Sequence, residues 1–588
     1  MINFLKKNYL YLLIIFFSIL VRFWNLSAVP SALYYDEIDL GYQIRSYQET
    51  GRDYRGELSP FFARSFNTDK TPLPIWFSLV FGTIFSSPEL QVRAGTAVAG
   101  VLVVILGMGI ARLISSSQTL PYLTGLILGF SPWLIHFSRL AFEAQFALLT
   151  LFLFLYFFLS WQKTNKISYL YLSAISLGLS VYTYRTMSLL APLLSIATLV
   201  LFYKQIIDLG YKKITIALVL FSSLYLPFVY ATTVGAKDQT RISQISIFSD
   251  PKIPIEVQRN RELVSGNFQD TTLGQSASLQ SKIFHNKVLS YFDRYFSNTL
   301  NNFSADFLFL RGDGNGRHSA KNSGQLLLLD IIGMLVGFYF LVQNLREKKH
   351  LLLLVILFTG AIPANLTFDG ANHASRLITF AGPLLLVISL GYDHLLQNFK
   401  KQKFGFVFIL LTLFLWLFSL GRFFNTYFFH FPVVNSREFG YGYKQAILKI
   451  DQLKNNFDKI YLTGVNDPPM LYYFFWSNTS PKEVQKYGTE YGDNIIKNMD
   501  LDKVKPFYPT DLLCKEKQIE KLDQKTIYMV DFRSLPLDFR SADKDKVPQG
   551  IKLIDVIKYP DNEVAYYLIT RDTKDGKVVT PVKGQTCQ

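Results

Sequence analysis

Long apolar blocks alternate with short polar connections over the first 425 or so residues, and then the alternation stops. Blocks near 8–24, 92–113, 119–137, 144–161, 167–184, 187–203, 214–231, 326–343, 350–366, 375–396 and 404–424 read as membrane spans. A hydrocarbon core about 30 Å thick takes roughly 20 helical residues at about 1.5 Å each. One further block, TPLPIWFSLVFGTIF, is short: from Pro72 to Phe85 it covers only about 21 Å as a helix. Pro72 and Pro74 suit a helix's first turn, and the block is predicted to lie along the interface. Lys6 and Lys7 precede the first apolar run and LSAVPSA follows it, as in a signal peptide. The run from Tyr9 to Trp24 exceeds a usual signal core, so a retained first helix is expected.

Beyond residue 430 the pattern changes to mixed periods. YKQAILKIDQLKNNF is helix-periodic, KIYLTGV and TIYMVDF are strand-like, and IKLIDVIKYPDNEVAYYLIT reads as a hairpin turning at Pro-Asp-Asn-Glu. The fold class predicted is an α-helical polytopic membrane protein of about eleven spans plus an interfacial juxtamembrane helix, carrying a small α/β C-terminal domain. Its boundaries are 1–425 for the membrane domain, with large outer loops at 25–90 and 232–325, and 430–588 for the tail.

Composition agrees. With 52 Phe, 34 Tyr and only 18% charged residues, the chain lacks the polar groups to hydrate a soluble surface of this size. The net charge of +16 raises nucleic acid as a partner, but no basic patch with interleaved aromatics is present, and the positive charge marks topology instead. Alternate connections QKTNK, KQIIDLGYKK, LREKKH and NFKKQK are lysine-rich, whereas HFSRLAFEAQ, TYRTM and TFDGANHASR carry one arginine each. The positive-inside rule then places the N-terminus in the cytoplasm and the tail outside a plasma membrane, provided 72–85 does not cross. Cys514 and Cys587 are too few for a disulfide framework, and either pair with each other or stand apart from the chemistry.

The mixed polar clusters all fall on the predicted outer side: YYDEID, NTDKTPLP, HFSRLAFEAQ, YRT, RGDGNGRHS and DGANHASR. Helix ends are where polar residues belong in any membrane protein. The outer clusters, however, mix carboxylate, imidazole and guanidinium, which suggests one shared site. Asp36 and Glu37 are adjacent, so on a helix they point about 100° apart; one suits a general base and the other a buttress. Asp39 reads as a solvated loop acid. Lys70, just before Pro72, sits where a lipid phosphate would lie. Arg139 and Glu143 are spaced for an ion pair on one helix face, and His373 and Arg376 for two donors to an anionic oxygen. GDGNGRHS suits either a backbone nest for phosphate or a plain loop. The seven histidines show no ligand spacing. No cofactor is expected; a divalent cation is left open, with Asp36, Asp39 and one distant histidine as the set to hold it.

The ordered set YYDE, DKTPLP, SPELQVRAGTAVAG, SPWLIHFSRLAFEA, RGDGNGRH and NHASRLITFAGPLLL resembles the integral-membrane glycosyltransferases of the GT-C fold over about residues 1–425. It is most similar to the family 39 group of protein O-mannosyltransferases and lipid A aminoarabinose transferases. The resemblance implies transfer of a sugar from a polyprenyl-phosphate donor to an extracytoplasmic lipid, cell-wall glycan or protein, with inversion, by a hexosyl- or pentosyltransferase in contact with membrane lipids. By the same analogy Asp36 is the catalytic acid and Glu37 its acceptor-side neighbour. Lys70 binds the donor phosphate with Arg376 and His373, and Asp69, Arg139, Glu143, Arg185, Arg317 and His318 support. The tail lacks the β-trefoil repeats of the mannosyltransferases, which tells against a protein acceptor. A transporter or flippase would instead place ionisable groups at mid-bilayer in repeats, and a non-catalytic scaffold would lack a cleft near Asp36.

Overall fold

The computed structural model describes residues 2–65, 69–233, 244–265, 279–464, 468–486, 503–507, 524–531 and 551–572. Cys514 and Cys587 lie outside the described residues. The chain forms two compact units, one of residues 1–22, 98–137 and 143–423, the other of 23–97, 138–142 and 424–588.

The first unit is helical. Each of the eleven apolar blocks forms helix in the structure. Among the described residues, five helices are long and apolar enough to cross a membrane: Pro88–Ile114, Ala144–Thr164, Tyr211–Thr233, Ile378–Phe399 and Gly405–Val434. A sixth candidate, Leu120–Phe130 with Pro132–Arg139, is bent by 54°. The bend follows from sequence. Pro132 has no N–H for the Leu128 carbonyl, and the Trp133 N–H donates to Gln325 O at 3.0 Å rather than back along its own helix. The freed carbonyls of Gly129 and Leu128 accept from the buried Arg22 guanidinium at 3.0 and 3.3 Å, so an arginine inside the bundle is matched by the break that needs it. Helices Asp330–Gln343 and Ile378–Phe399 pack with small residues at their crossing: a Cβ on Gly391 would strike the Gly333 carbonyl oxygen. The described parts of the 232–325 loop carry helices Lys252–Ser265, Leu279–Phe284 and Lys287–Asn302.

The second unit centres on helix Tyr35–Thr50, most of whose residues are buried. It packs beside helix Pro72–Ile84 and helix Pro469–Trp476, the latter buried along its whole length. Five strands form one sheet in the order β2-β1-β3-β5-β4: β1 Lys459–Thr463, β2 Val504–Phe507, β3 Thr526–Val530, β4 Ile551–Lys558 and β5 Val564–Arg571. β1 runs parallel to β2 and β3, and β5 antiparallel to β3 and β4. The β4–β5 hairpin turns at the expected residues, with the Tyr559 N–H donating to Glu563 O at 2.7 Å and Asn562 in the left-handed region at φ 67°. Arg437 clamps that turn through Asp561 and Glu563 at 2.7 and 2.6 Å. Helix Tyr443–Leu453 buries Tyr443, Ala446, Ile447 and Ile450, the spacing its periodicity requires, and Tyr443 stacks on Tyr472 at 4.3 Å.

Candidate active site

Helix Tyr35–Thr50 begins at Tyr34, whose extended backbone ends the preceding segment, and places Asp36 and Glu37 in its first turn, where carboxylates favour the helix dipole. The predicted divergence of the adjacent pair is realised. Glu37 points inward and is fully buried. It takes a bidentate pair from Arg93, with Nε to Oε1 at 2.8 Å and Nη2 to Oε2 at 2.9 Å, and also accepts from the N–H groups of Ala141 and Tyr34 at 3.1 and 3.3 Å. The remaining Arg93 donors reach the carbonyls of Leu26, Pro30 and Ala32 at 3.1, 2.9 and 2.6 Å. Two fully desolvated charges are tolerated here because the guanidinium is matched on every side.

Asp36 turns the other way. Its side chain is 40% exposed, and Lys70 Nζ donates to Oδ1 at 2.5 Å. Lys70 is itself 10% exposed and is aimed by an antiparallel bridge to Ala63, with 2.9 Å bonds in both directions, just before Pro72 opens the next helix. Asp39, three residues after Asp36, also faces Lys70, at 3.6 Å from Nζ. Its expectation as a solvated loop acid is overturned: Asp39 is fully buried and accepts from Tyr54 Oη and Ser65 Oγ at 2.6 Å each. Burial raises its carboxyl above the usual range, opposed by Lys70 and the two hydroxyls. The Tyr54 and Tyr35 phenols are pushed well up by burial and by the Asp39 charge. The loop that supplies Tyr54 and Ser65 is organised by Asp53, which accepts from the N–H groups of Arg55, Glu57 and Arg64 at 3.0, 2.9 and 2.8 Å. Asp69 pairs with Arg64 at 2.8 Å.

Arg139 is fully buried and caps main chain, donating to the carbonyls of Trp24 and Val29 at 2.9 and 2.8 Å beneath the Phe428 ring. The expected shared helix face with Glu143 is absent, because one helix ends at Arg139 and the next starts at Ala144, with Glu143 at its N-terminal edge. Arg185 is half-buried in the turn before helix Met187–Leu201.

In the first unit, the GDGNGRHS turn packs against the segment before helix Ile378–Phe399. Gly312 has φ 76°, which a side chain would strain, and a Cβ there would press on Ser323 O. Three of the turn's amides are spent internally: Asn315 N–H donates to Asp313 Oδ1 at 2.8 Å, Arg317 N–H to Asn315 Oδ1 at 2.9 Å and His318 N–H to Asn315 O at 2.9 Å. The Arg317 carbonyl meets His136 Nε2 at 2.9 Å. His318 Nδ1 lies 2.8 Å from Asp313 Oδ2, which also accepts from the Ala374 N–H at 2.8 Å. Burial raises the Asp313 carboxyl, but the His318 ring brings it to a net position below the usual range. The His318 and His373 rings lie 4.8 Å apart. Burial, with Arg376 and His318 adding to it, lowers His373 to about 3, so its ring is neutral. Arg376 is engaged by Asp369, Nη1 to Oδ1 at 2.5 Å and Nη2 to Oδ2 at 3.2 Å, and by Thr367 Oγ1 at 2.8 Å. Arg93, Tyr54, Ser65, Asp313 and Asp369 were given no role from sequence; among them only Arg93, a cation one turn beyond Glu89 at the start of a long apolar helix, leaves a readable signal.

Residues 69–229 match the model of the dolichyl-phosphate-mannose-protein mannosyltransferase family. Among solved structures, the chain is similar to ArnT from Cupriavidus metallidurans bound to undecaprenyl phosphate, at 12% identity over 95% of this chain and 98% of that one, with a TM-score of 0.53. It also aligns with the archaeal oligosaccharyltransferase AglB from Archaeoglobus fulgidus in complex with an inhibitory peptide and a dolichol-phosphate, at 13% identity over 81% of this chain, with a TM-score of 0.48. The chain spans 64% of the length of that AglB. No curated protein matches the sequence. The resemblance to GT-C glycosyltransferases holds at the level of fold, through ArnT and the family match.

Proposed function

We propose that this membrane protein transfers a sugar from a polyprenyl-phosphate donor to an acceptor hydroxyl on the extracytoplasmic face, with inversion. The observation that carries this reading is the part-exposed Asp36 carboxylate held by Lys70, itself anchored from behind by the buried Asp39. A proton acceptor and a cation stand within one hydrogen bond of each other at the start of a helix. In the reaction the acceptor oxygen forms its bond to the anomeric carbon while the bond from that carbon to the phosphate oxygen breaks. Asp36 takes the acceptor proton, and Lys70 meets the charge that develops on the departing phosphate. Glu37, locked to Arg93, positions the first turn that carries Asp36. Within the first unit, Arg376, with the neutral His373, Arg317 and His318 beside it, is a candidate anion-binding group of its own. Asp69, Arg139, Glu143 and Arg185 hold surrounding segments. The polyprenyl phosphate bound by ArnT supports the donor class, and the match of 69–229 to a mannosyltransferase family supports sugar transfer. The sugar is a hexose or pentose, and the acceptor is a lipid, a cell-wall glycan or a protein.

The same reading includes about eleven spans, a cytoplasmic N-terminus, an interfacial helix at Pro72–Ile84, and a tail domain from residue 430 outside the plasma membrane, on the lysine distribution. The test is sugar transfer by the purified full chain in liposomes containing a polyprenyl-phosphate sugar. Asp36→Asn should retain donor binding while turnover falls by about 10²–10⁴. Lys70→Ala should weaken donor binding together with rate. Turnover that survives Asp36→Asn overturns the assignment.

A further inference from the structure

Two turns in the helical unit converge on one small polar centre. Asp313 and His318 come from the turn after residue 310, and His373 from the turn before helix Ile378–Phe399. One ligand atom from each, a carboxylate oxygen and two imidazole nitrogens, lie within 4.8 Å of one another. We propose that Asp313, His318 and His373 bind one divalent transition-metal ion of the zinc class, with water completing the shell.

The donor set is the first reason. Two imidazoles and one carboxylate are a recurrent set for zinc, whose bonds of about 2.0–2.2 Å place tetrahedral ligand atoms roughly 3.3 Å apart. The longest gap of 4.8 Å therefore closes by about 1.5 Å on binding, within the reach of a side-chain rotation. The pair at 2.8 Å, His318 Nδ1 and Asp313 Oδ2, is already close.

The second reason is orientation of the ligands by groups behind them, which a metal centre requires. Asp313 is fixed through both oxygens: Oδ1 takes the Asn315 N–H within its own turn, and Oδ2 takes the Ala374 N–H from the other turn, 2.8 Å each. His373 Nδ1 meets Ser375 Oγ at 3.1 Å, which directs its other nitrogen away from that partner. The His318 and His373 rings stand 4.8 Å apart at 41°, an angle that suits two nitrogens converging on a point better than a parallel stack. Arg376, three residues beyond His373, is neutralised by Asp369 at 2.5 Å, which lowers its repulsion of a dication. A metal here would tie the 312–319 turn to the 371–377 turn. It does not depend on the sugar-transfer reading.

The test uses untagged full-length protein in detergent, stripped with a chelator and dialysed against zinc. About one zinc per chain is expected by elemental analysis, with Co²⁺ giving the absorption of a low-symmetry N/O site. His318→Gln and His373→Gln keep a hydrogen-bonding side chain, and each should weaken zinc binding at least about tenfold. His285→Ala, in the connection between helices Leu279–Phe284 and Lys287–Asn302, reports background histidine binding and should leave the stoichiometry unchanged. Zinc should also raise the unfolding temperature of wild type and not of the glutamine variants. Wild type that holds no more zinc than the His318→Gln variant overturns the proposal. So does wild type with no Co²⁺ spectrum and no thermal shift, a result that stands whether or not the variants fold.

Discussion

Asp36 and Asp39 lie one helical turn apart and face the same lysine, yet their substitution by asparagine should do opposite things. Asp39 is fully buried, accepts 2.6 Å bonds from Tyr54 and Ser65, and sits 3.6 Å from Lys70 Nζ. At an effective dielectric of about 20 the Coulomb attraction at that separation is roughly 4–5 kcal/mol before desolvation is subtracted. Hydrogen bonds to a charged group contribute about 1.5–3 kcal/mol each and neutral ones about 1. Asparagine keeps one acceptor and turns the other into a donor facing a hydroxyl, so Asp39→Asn should cost about 2–4 kcal/mol of stability. Asp36 is 40% exposed, and an exposed pair is worth about 0–1 kcal/mol. Asp36→Asn should therefore unfold near the wild-type temperature while losing turnover by about 10²–10⁴. Intrinsic tryptophan fluorescence through a thermal ramp, alongside the liposome transfer assay, separates the two effects. If Asp39→Asn unfolds within about 0.5 kcal/mol of wild type, the buried-anchor reading is wrong. If both variants lose turnover equally with stability intact, Asp39 joins Asp36 in the chemistry.

Arg93→Ala leaves Glu37 buried without its bidentate partner, and should cost about 3–5 kcal/mol; an unfolding temperature equal to wild type would sink that. Asp53→Asn puts an amide NH₂ against the N–H of Arg64 or of Arg55 and Glu57, for a loss of about 1–3 kcal/mol read in the same thermal ramp. With Cys514 and Cys587 replaced by serine, a cysteine at Asp561 should label from outside intact cells, and one at Lys401 only after permeabilisation. Reversal of those two results would invert the proposed topology.

The helices were legible because each apolar block is long and needs no partner to be recognised; the period alone gives it. The 54° bend inside 119–137 was not read, although Pro132 is in plain view. A proline marks a break but says nothing of what fills it, and here the filler is Arg22, more than 100 positions away along the chain. The tail's helix, two of its strands and its hairpin were legible from local period and turn chemistry. The packing of helix Tyr35–Thr50 beside Pro469–Trp476 left no local trace, since any buried aromatic helix looks the same in sequence.

The three carboxylates of YYDEID show why the site was half legible. Their types and spacing fix directions: at about 100° per residue, Glu37 must leave the line of Asp36, and Asp39, three residues on, must return towards it. Direction is not environment. Glu37 is sealed by an arginine 56 residues away, and Asp39 by a tyrosine 15 and a serine 26 residues away. No window short enough to show a period contains those partners. The same limit hid the histidine centre, where Asp313 and the Ala374 amide meet across 61 residues; the ligands arrive from two turns, so no H-x-x-x-H spacing announces them. Asp36 is the acid of the three that keeps a face to solvent, and the proposed role rests on it because that exposure would let a substrate hydroxyl reach it.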